Sequence, residues 1–457
     1  MPDTHSLLAL SPLDGRYSES VQDLHIHMSE FGLIRYRVII EVSWLQTLCQ
    51  QPQIATTPLD ASEQQHLATL LDNFSLKDAE QIKMLEKTTN HDVKAVEYFL
   101  QQSCREHPTL QHRIPLIHFA ATSEDINNLA YGLMLKDGRH LINQHIQALL
   151  DTLCSLSQQH AYLPMLSRTH GQAASPSTIG KELINFVMRL RREQHRLMHC
   201  ELLGTFNGAV GNYNAHTIAY PEIDWPDVSQ HFVESLGLNF NPITTQIEPH
   251  DALAELLDHL ARFNTILIDL NRDLWSYISR DHFILEKKAN EVGSSTMPHK
   301  INPIDFENSE GNLGVANALA GHLARQLPIS RLQRDLSDST RLRNLGSVFG
   351  YSLVAYKACL RGLKKLSPHK AVLAAELDDH WEVLGEAVQT VLRRYGVTDA
   401  YERVKTLTRG KALSQERLID WLQQQPIPQP AKDTLAALTP ADYTGLAAQL
   451  TEKYLDD

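Results

Sequence analysis

The run Gly293-Ser294-Ser295-Thr296-Met297-Pro298-His299-Lys300-Ile301-Asn302-Pro303 brings hydroxyls, a compact cation and an amide into one short segment. Proline fixes φ and removes amide donors, so the run cannot continue as a regular helix, while Gly293 and the paired serines let the backbone open and close. Such a pattern suits a mobile active-site loop. A serine hydroxyl is a poor base at its ordinary pKa and needs backbone amides and a nearby cation to activate it. Lys300 presents a compact charge able to steady an ionised serine or another nearby anion, and Asn302 adds an amide donor. An imidazole would complement them, because it gains and loses a proton near neutral pH. With 23 histidines in the chain, residue type alone selects none of them.

Rigid elements must carry these groups, and the chain supplies long helices. Residues 251–282 contain no Gly or Pro and repeat Leu253, Leu256, Leu257, Leu260, Leu267, Leu270, Leu274 and Ile278 at steps of three and four. At ~1.5 Å per residue this predicts one helix of roughly 45 Å, suited to a bundle. A second helix is expected over 178–203, with Ile179, Leu183, Phe186, Val187, Leu190 and Leu197 opposite Arg189, Arg191, Arg192 and Glu193. A third covers 349–366. Strict apolar–polar alternation is scarce, so the chain reads as mainly α. Polar breaks at 104–113 and 366–369 divide it into 1–112, a long central domain 113–366, and a small C-terminal cap 367–457. Residues 423–431 read as a surface connection before a last short helical element.

Hydrophobic residues at 42% and charged residues at 21% are those of an ordinary folded protein. A net charge of −12 argues against nonspecific nucleic-acid binding, which needs clustered Lys and Arg. Cations that hold an anionic substrate must then be local to a cleft. The five cysteines lie tens of residues apart and read as reduced, buried thiols. The N-terminus lacks a basic n-region, and no apolar run approaches the ~20 residues of a membrane span, so the expected location is cytoplasmic. His25 and His27 lack the further ligands of a zinc site, and no metal or cofactor is expected. The glycine-rich run 204–211 lacks the ending of a phosphate loop and reads as close backbone packing.

The 293–303 run matches, at every specified position, the GSSxMPxKxNP loop of the fumarase/aspartase/argininosuccinate lyase superfamily, which the chain therefore resembles. Thr122-Ser123-Glu124-Asp125-Ile126-Asn127-Asn128 and Ser167-Arg168-Thr169-His170-Gly171-Gln172 fit the same superfamily. Three separated matches make coincidence a poor explanation. Within it, Thr89-Asn90-His91-Asp92-Val93-Lys94-Ala95-Val96-Glu97, His299 before the lysine, and Gln333-Arg334-Asp335-Leu336-Ser337-Asp338-Ser339-Thr340 resemble the adenylosuccinate lyase branch. Aspartase- and fumarase-like loops usually carry Gly before the lysine, and argininosuccinate lyases Gln. Residues 11–17 (SPLDGRY) and 245–251 (TQIEPHD) are similar to the bacterial members. One departure is Ala173, where many relatives have proline.

The resemblance implies an all-α, three-domain lyase fold whose long central helices pool in a homotetramer, with active sites shared between subunits. It implies a carbon–nitrogen lyase of purine biosynthesis that releases fumarate from adenylosuccinate, giving AMP, and from succinyl-aminoimidazole-carboxamide ribotide (SAICAR), giving AICAR. No nucleic acid, membrane or cofactor takes part. Ser294 becomes the general base, His170 the general acid oriented by Glu307, Lys300 the charge-stabilising cation, and His91 a second site histidine. Asn90, His91 and Asp92 belong to its substrate-binding set, as do Lys300, Ile301 and Asn302. Arg16, Tyr17, Arg334, Ser339 and Arg343 match positions that hold the nucleotide phosphate, and Thr340, Arg341 and Leu342 belong to the substrate-binding set. Thr122, Ser123, Gln246, Ser295 and Asn308 match contacts to the succinyl carboxylates or neighbouring polar groups.

Overall fold

The structure, a computed structural model, describes residues 7–286, 297, 300–408 and 413–455. The elements used below are, in chain order, α1 (Ser18–Met28), α2 (Glu30–Cys49), α3 (Leu76–Thr89), α4 (Asp92–Arg105), α5 (Ser123–Gln159), strands β1 (Pro164–Thr169) and β2 (Gln172–Thr178), α6 (Ile179–His199), α7 (Asp251–Ser279), α8 (Ile304–Gln326), α9 (Ser337–Leu342), α10 (Leu345–Leu363) and α11 (Lys370–Asp378). Among the described residues strands form only three two-stranded ladders, so the expected all-α class holds. No helix among them is long and apolar enough to cross a membrane. All five cysteines are free thiols, four of them buried.

The three long helices expected from periodicity are present, with ends set by features that periodicity does not register. The helix expected over 251–282 is α7, which stops at Ser279. Asp281 takes φ +59, and the His282 amide turns back to the Tyr277 carbonyl at 2.9 Å. A left-handed residue closes the helix there. The helix expected over 178–203 is α6 and ends at His199, because Leu203–Gly204 leaves to pair with Asn239–Phe240. The third, α10, begins earlier, at Leu345, and ends at Leu363; Leu366–Pro368 then pairs antiparallel with Phe283–Leu285. Residues 423–431 are not wholly a surface connection. Gln425 and Ile427 are buried, and a helix over Gln429–Ala437 begins inside the run with Pro430 in its first turn.

The chain forms two compact units, each drawn from three stretches. The first comprises Met1–Ile146, Glu193–Thr265 and Gly311–Lys357. Its apolar core runs along α2 through Val38, Val42 and Leu45 and takes in Ile82, Val96, Phe99 and Leu100. The glycine-rich run packs as closely as expected: a Cβ at Gly211 would lie 2.4 Å from the Thr244 carbonyl oxygen. The second unit comprises Gln147–Arg192, Ile266–Glu310 and Ala358–Asp457. Leu384, Val388, Leu392, Leu407, Leu418, Leu422 and Leu435 make one of its cores. A smaller cluster sets Leu166 of β1 against Leu377 and Val383, with Ala173 and Ala441 at its edge.

His216 sits in an aromatic box in the first unit. Its ring lies 4.8 Å from Trp225, 5.5 Å from Tyr213 and 6.4 Å from both Phe206 and Trp44, centroid to centroid. Neither ring nitrogen has a hydrogen-bond partner, and burial pushes the pKa down to about 4. The native ring is therefore neutral, whereas an unfolded chain protonates it near pH 6.5. The folded state binds fewer protons between those values, so this group removes stability as the pH falls through that window, by roughly 3 kcal/mol in all. His216→Phe lacks the liability. Its urea midpoint relative to the parent chain is expected to rise as the pH drops from 7 to 4, and a constant offset would contradict a neutral buried ring.

Candidate active site

In the first unit, Arg37 lies within the apolar run of α2 with its side chain 2% exposed. Its Nη2 donates to Asp92 Oδ2 (2.7 Å) and its Nε to Asn127 Oδ1 (2.9 Å). Asp92 also accepts from Arg343 Nη2 (3.2 Å), whose Nη1 donates to Glu30 Oε2 (2.5 Å). In the other direction, Asn127 Nδ2 donates to Glu124 Oε1 (2.7 Å). The same oxygen accepts from Arg334 Nη2 (2.8 Å), and Arg334 Nη1 donates to Gln246 Oε1 (3.1 Å). A continuous train of donors and acceptors thus joins Glu30 to Gln246. Burial pushes the Asp92 carboxyl up, but Arg37, the Val93 amide and Arg343 outweigh it and hold the group below its ordinary range. Glu124 moves the other way, because burial exceeds what Arg334 and Asn127 return.

Two backbone devices set out the neighbouring residues. Asn90, at φ +53, ends α3 and turns the chain into His91, the N-cap of α4. His91 Nδ1 accepts the Lys94 amide (3.2 Å). An amide can only donate, so the neutral ring carries its proton on Nε2, which stands 3.5 Å from Ser123 Oγ. Ahead of α5, the Thr122 amide donates to Asp125 Oδ2 (2.8 Å). Asp125 is fully buried and also receives the Asn207 and Gly208 amides. Burial nonetheless raises it to about 6 against those three amides. Thr122 and Ser123 are held at the head of α5, half-buried.

A cavity of about 290 Å³ opens in this unit, lined by Asp14, Glu30, Tyr131, Leu342, Arg343 and neighbouring residues. Tyr17 packs against Leu13, Val21 and Val354, and Arg16 is exposed. Ser339, Thr340, Arg341 and Leu342 lie on α9, where Arg341 Nη1 donates to the Gln326 carbonyl (3.0 Å).

The second unit carries His170. Thr169 pairs with Gln172 across β1 and β2, so His170 and Gly171 form a two-residue hairpin loop. Their φ values, +53 and +74, have the signs of a type I′ turn, which needs both central residues left-handed. Histidine is among the few non-glycine types enriched there. Ala173, opposite Arg168, takes its place in this ladder. The imidazole is exposed at the tip. Lys300 and Ile301 are exposed and Asn302 half-buried just before α8. Glu307, exposed in the first turn of α8, accepts from Trp275 Nε1 (3.1 Å), and Asn308 beside it is half-buried. Among the described residues no hydrogen bond or ion pair joins His170 to Glu307. Ser294, Ser295 and His299 lie outside the described residues.

The structure therefore links Asp92, Gln246, Arg334 and Arg343 through one network, with His91 beside Ser123. Sequence reading did not single out Arg37, Glu30 or Trp275, and gave Glu124 and Asn127 no role beyond the 122–128 match. Arg37 and Glu41, four apart, are the two charged residues among the buried positions of α2, but Arg35, Ser43, Gln46 and Thr47 make the helix polar elsewhere, so its sequence does not mark them. Asp92→Asn leaves the Arg37 guanidinium buried without a full counter-charge. We expect it to lower stability at pH 7 by roughly 3 kcal/mol. The native carboxyl is depressed, so its contribution is present above the unfolded pKa near 4 and lost as the pH falls through the native value. Chemical unfolding at pH 7 and pH 3 checks both statements, and equal deficits at the two would contradict them.

A family model described as "Lyase" matches residues 15–317, and one described as "Adenylosuccinate lyase C-terminal" matches 330–444. Adenylosuccinate lyase of Escherichia coli K12 is 52% identical over 450 residues, which cover 98% of this chain and 99% of that protein. The Haemophilus influenzae enzyme of the same name is equally similar, at 52% over 98% and 99%. Among solved structures, fumarate lyase from Mesorhizobium sp. BNC1 superposes with a TM-score of 0.77 at 18% identity, covering 95% of this chain and 97% of that one. That likeness shows the shared fold. The models and the full-length identity place the chain in the lyase family, in its adenylosuccinate lyase branch.

Proposed function

We propose that the chain is a carbon–nitrogen lyase that splits adenylosuccinate into AMP and fumarate, and SAICAR into AICAR and fumarate. The observation that carries this reading is identity of 52% to adenylosuccinate lyase along the whole chain. The site chemistry agrees with it. Elimination breaks a C–H bond beside a carboxylate and the C–N bond next to it, and forms the C=C bond of fumarate. Ser294 takes the carbon proton. The electron pair left on carbon is delocalised into the adjacent carboxylate, where Lys300 and Asn302 steady the charge. His170 gives a proton to the departing nitrogen. His91, whose Nε2 stands beside Ser123, helps to hold the substrate and is placed to assist the acid.

Arg334 and Arg343 offer guanidinium forks suited to phosphate, with Arg16, Tyr17 and the backbone and side chains of α9 around them. Arg343 is paired with Glu30 and Asp92, so an incoming phosphate shares or displaces those partners. Thr122, Ser123, Gln246, Ser295 and Asn308 take the succinyl end. His170, Lys300 and Glu307 are all exposed in the single chain. A homotetramer with sites shared between subunits would bring Glu307 of one copy to His170 of another and exclude water from all three. The three-domain division and the cytoplasmic location belong to the same reading.

Fumarate release, followed separately with adenylosuccinate, argininosuccinate and aspartate, tests the substrate: turnover of the first is expected, and turnover of argininosuccinate alone would overturn the assignment. Shared sites have their own test. His170→Ala and Ser294→Ala should each be inactive and, mixed under conditions of demonstrated subunit exchange, regain part of the activity. Exchange without recovery would exclude sharing.

A further inference from the structure

The hairpin that presents His170 is fastened to the C-terminal part of its own unit by an ionic anchor. Arg168, two residues before His170 on β1, donates through Nη2 to Glu376 Oε1 on α11. Its Nη1 also reaches the Gly171 carbonyl across the turn, at 3.5 Å. One guanidinium therefore ties the left-handed turn to a carboxylate more than two hundred residues away in sequence. Beyond Glu376, His282 Nε2 stands 2.8 Å from Oε2, with the His282 side chain 2% exposed.

His282 is itself closely held. Its carbonyl accepts the His369 amide (2.8 Å) just before α11, its amide donates to the Tyr277 carbonyl, and its ring stacks on Tyr277 at 5.9 Å. Burial lowers the ring's proton affinity more than Glu376 raises it, so at neutral pH a neutral ring faces the carboxylate. Burial would raise Glu376, but Arg168 and His282 outweigh it, and the group stays ionised. Beneath the anchor, Leu166 packs on Leu377 and Val383. On β2, Ser175 donates to Glu386, which also accepts from Tyr443 (3.1 Å). The strands are thus fixed on both sides, and the turn between them is left in solvent.

We propose that Glu376 and His282 are positioning residues for the elimination: acting through Arg168, they hold the His170 turn at the height and direction from which the imidazole reaches the leaving nitrogen. The inference rests on His170 being the acid. A turn of two left-handed residues at the end of a short polar ladder has little packing of its own to hold it, and an acid displaced by about 1 Å can lose up to a hundredfold in rate. The anchor supplies what the ladder lacks, from the region that distinguishes the adenylosuccinate lyase branch.

The test uses the full-length enzyme and adenylosuccinate. Glu376→Gln keeps shape and removes charge, and we expect kcat to fall roughly tenfold to a hundredfold with KM within about twofold. The thermal midpoint should stay close to the parent's, and the basic limb of the kcat–pH profile, which reports the acid in the complex, should move. Arg168→Lys, which retains the charge but not the fork, should fall between the parent and Glu376→Gln, and it decides the matter if the latter fails to fold. Parental kcat in Glu376→Gln and Arg168→Lys, alongside an inactive His170→Ala, would overturn the anchor and leave the acid assignment intact. A fall in kcat matched by a comparable rise in KM and a lower thermal midpoint would mark a merely structural role and would also overturn it. Full activity in His170→Ala would remove the acid assignment on which the inference rests.

Discussion

A guanidinium withdrawn from water must be met by anions, and in the first unit that constraint organises everything around it. Arg37 lies in a helix whose other inward residues are almost all apolar. Once it is buried, Asp92 has to face it, and Asn127 has to meet its Nε. Asp92 then draws Arg343, and Asn127 fixes Glu124, which draws Arg334. The result is a rigid alternation that places two further guanidiniums where they keep donors to spare. Ion pairs with this degree of burial are weak sources of stability, but losing one partner is damaging. Their value here lies in fixing positions: the geometry of Arg334 and Arg343 is set by the carboxylates behind them.

Backbone strain accompanies the charges. Asn90 and His170 both take positive φ, and both are among the residues assigned to the site. Asn90 turns the chain so that His91 caps α4, and that cap settles which nitrogen bears the proton. His170 is itself the strained residue. Such conformations cost of order 1–3 kcal/mol and persist only where the surroundings over-determine them. At His91 the surroundings are a helix end. At His170 they are two short strands and the salt bridge of Arg168, a more distant kind of support.

Different physical signals explain why parts of this arrangement were legible in sequence. Helices α6, α7 and α10 could be read because a buried stripe repeats every three or four residues. Their ends could not, since α7 closes on a left-handed Asp281 and α6 yields to a strand that pairs with residues 239–240. The β1–β2 hairpin was missed because its strands are polar and lack alternation, and because its turn uses His-Gly in place of the familiar Asn-Gly. The side chains proposed to react were legible through motif matches. Their supports were not: Glu376 meets Arg168 across 208 positions, and nothing in the local sequence of α11 marks that glutamate from the others.

The contrast between supports and reacting groups bears on how the site must be completed. Arg37, Glu124, Asp125 and His282 are buried, whereas His170, Lys300 and Glu307 are open to water in one chain. Electrostatic stabilisation of a carbanion is strong only where water is excluded and donors are fixed beforehand. Fixed donors are present in each unit taken by itself, the arginine network in one and the anchored hairpin in the other. The first condition is not met, because water reaches His170, Lys300 and Glu307 in the single chain.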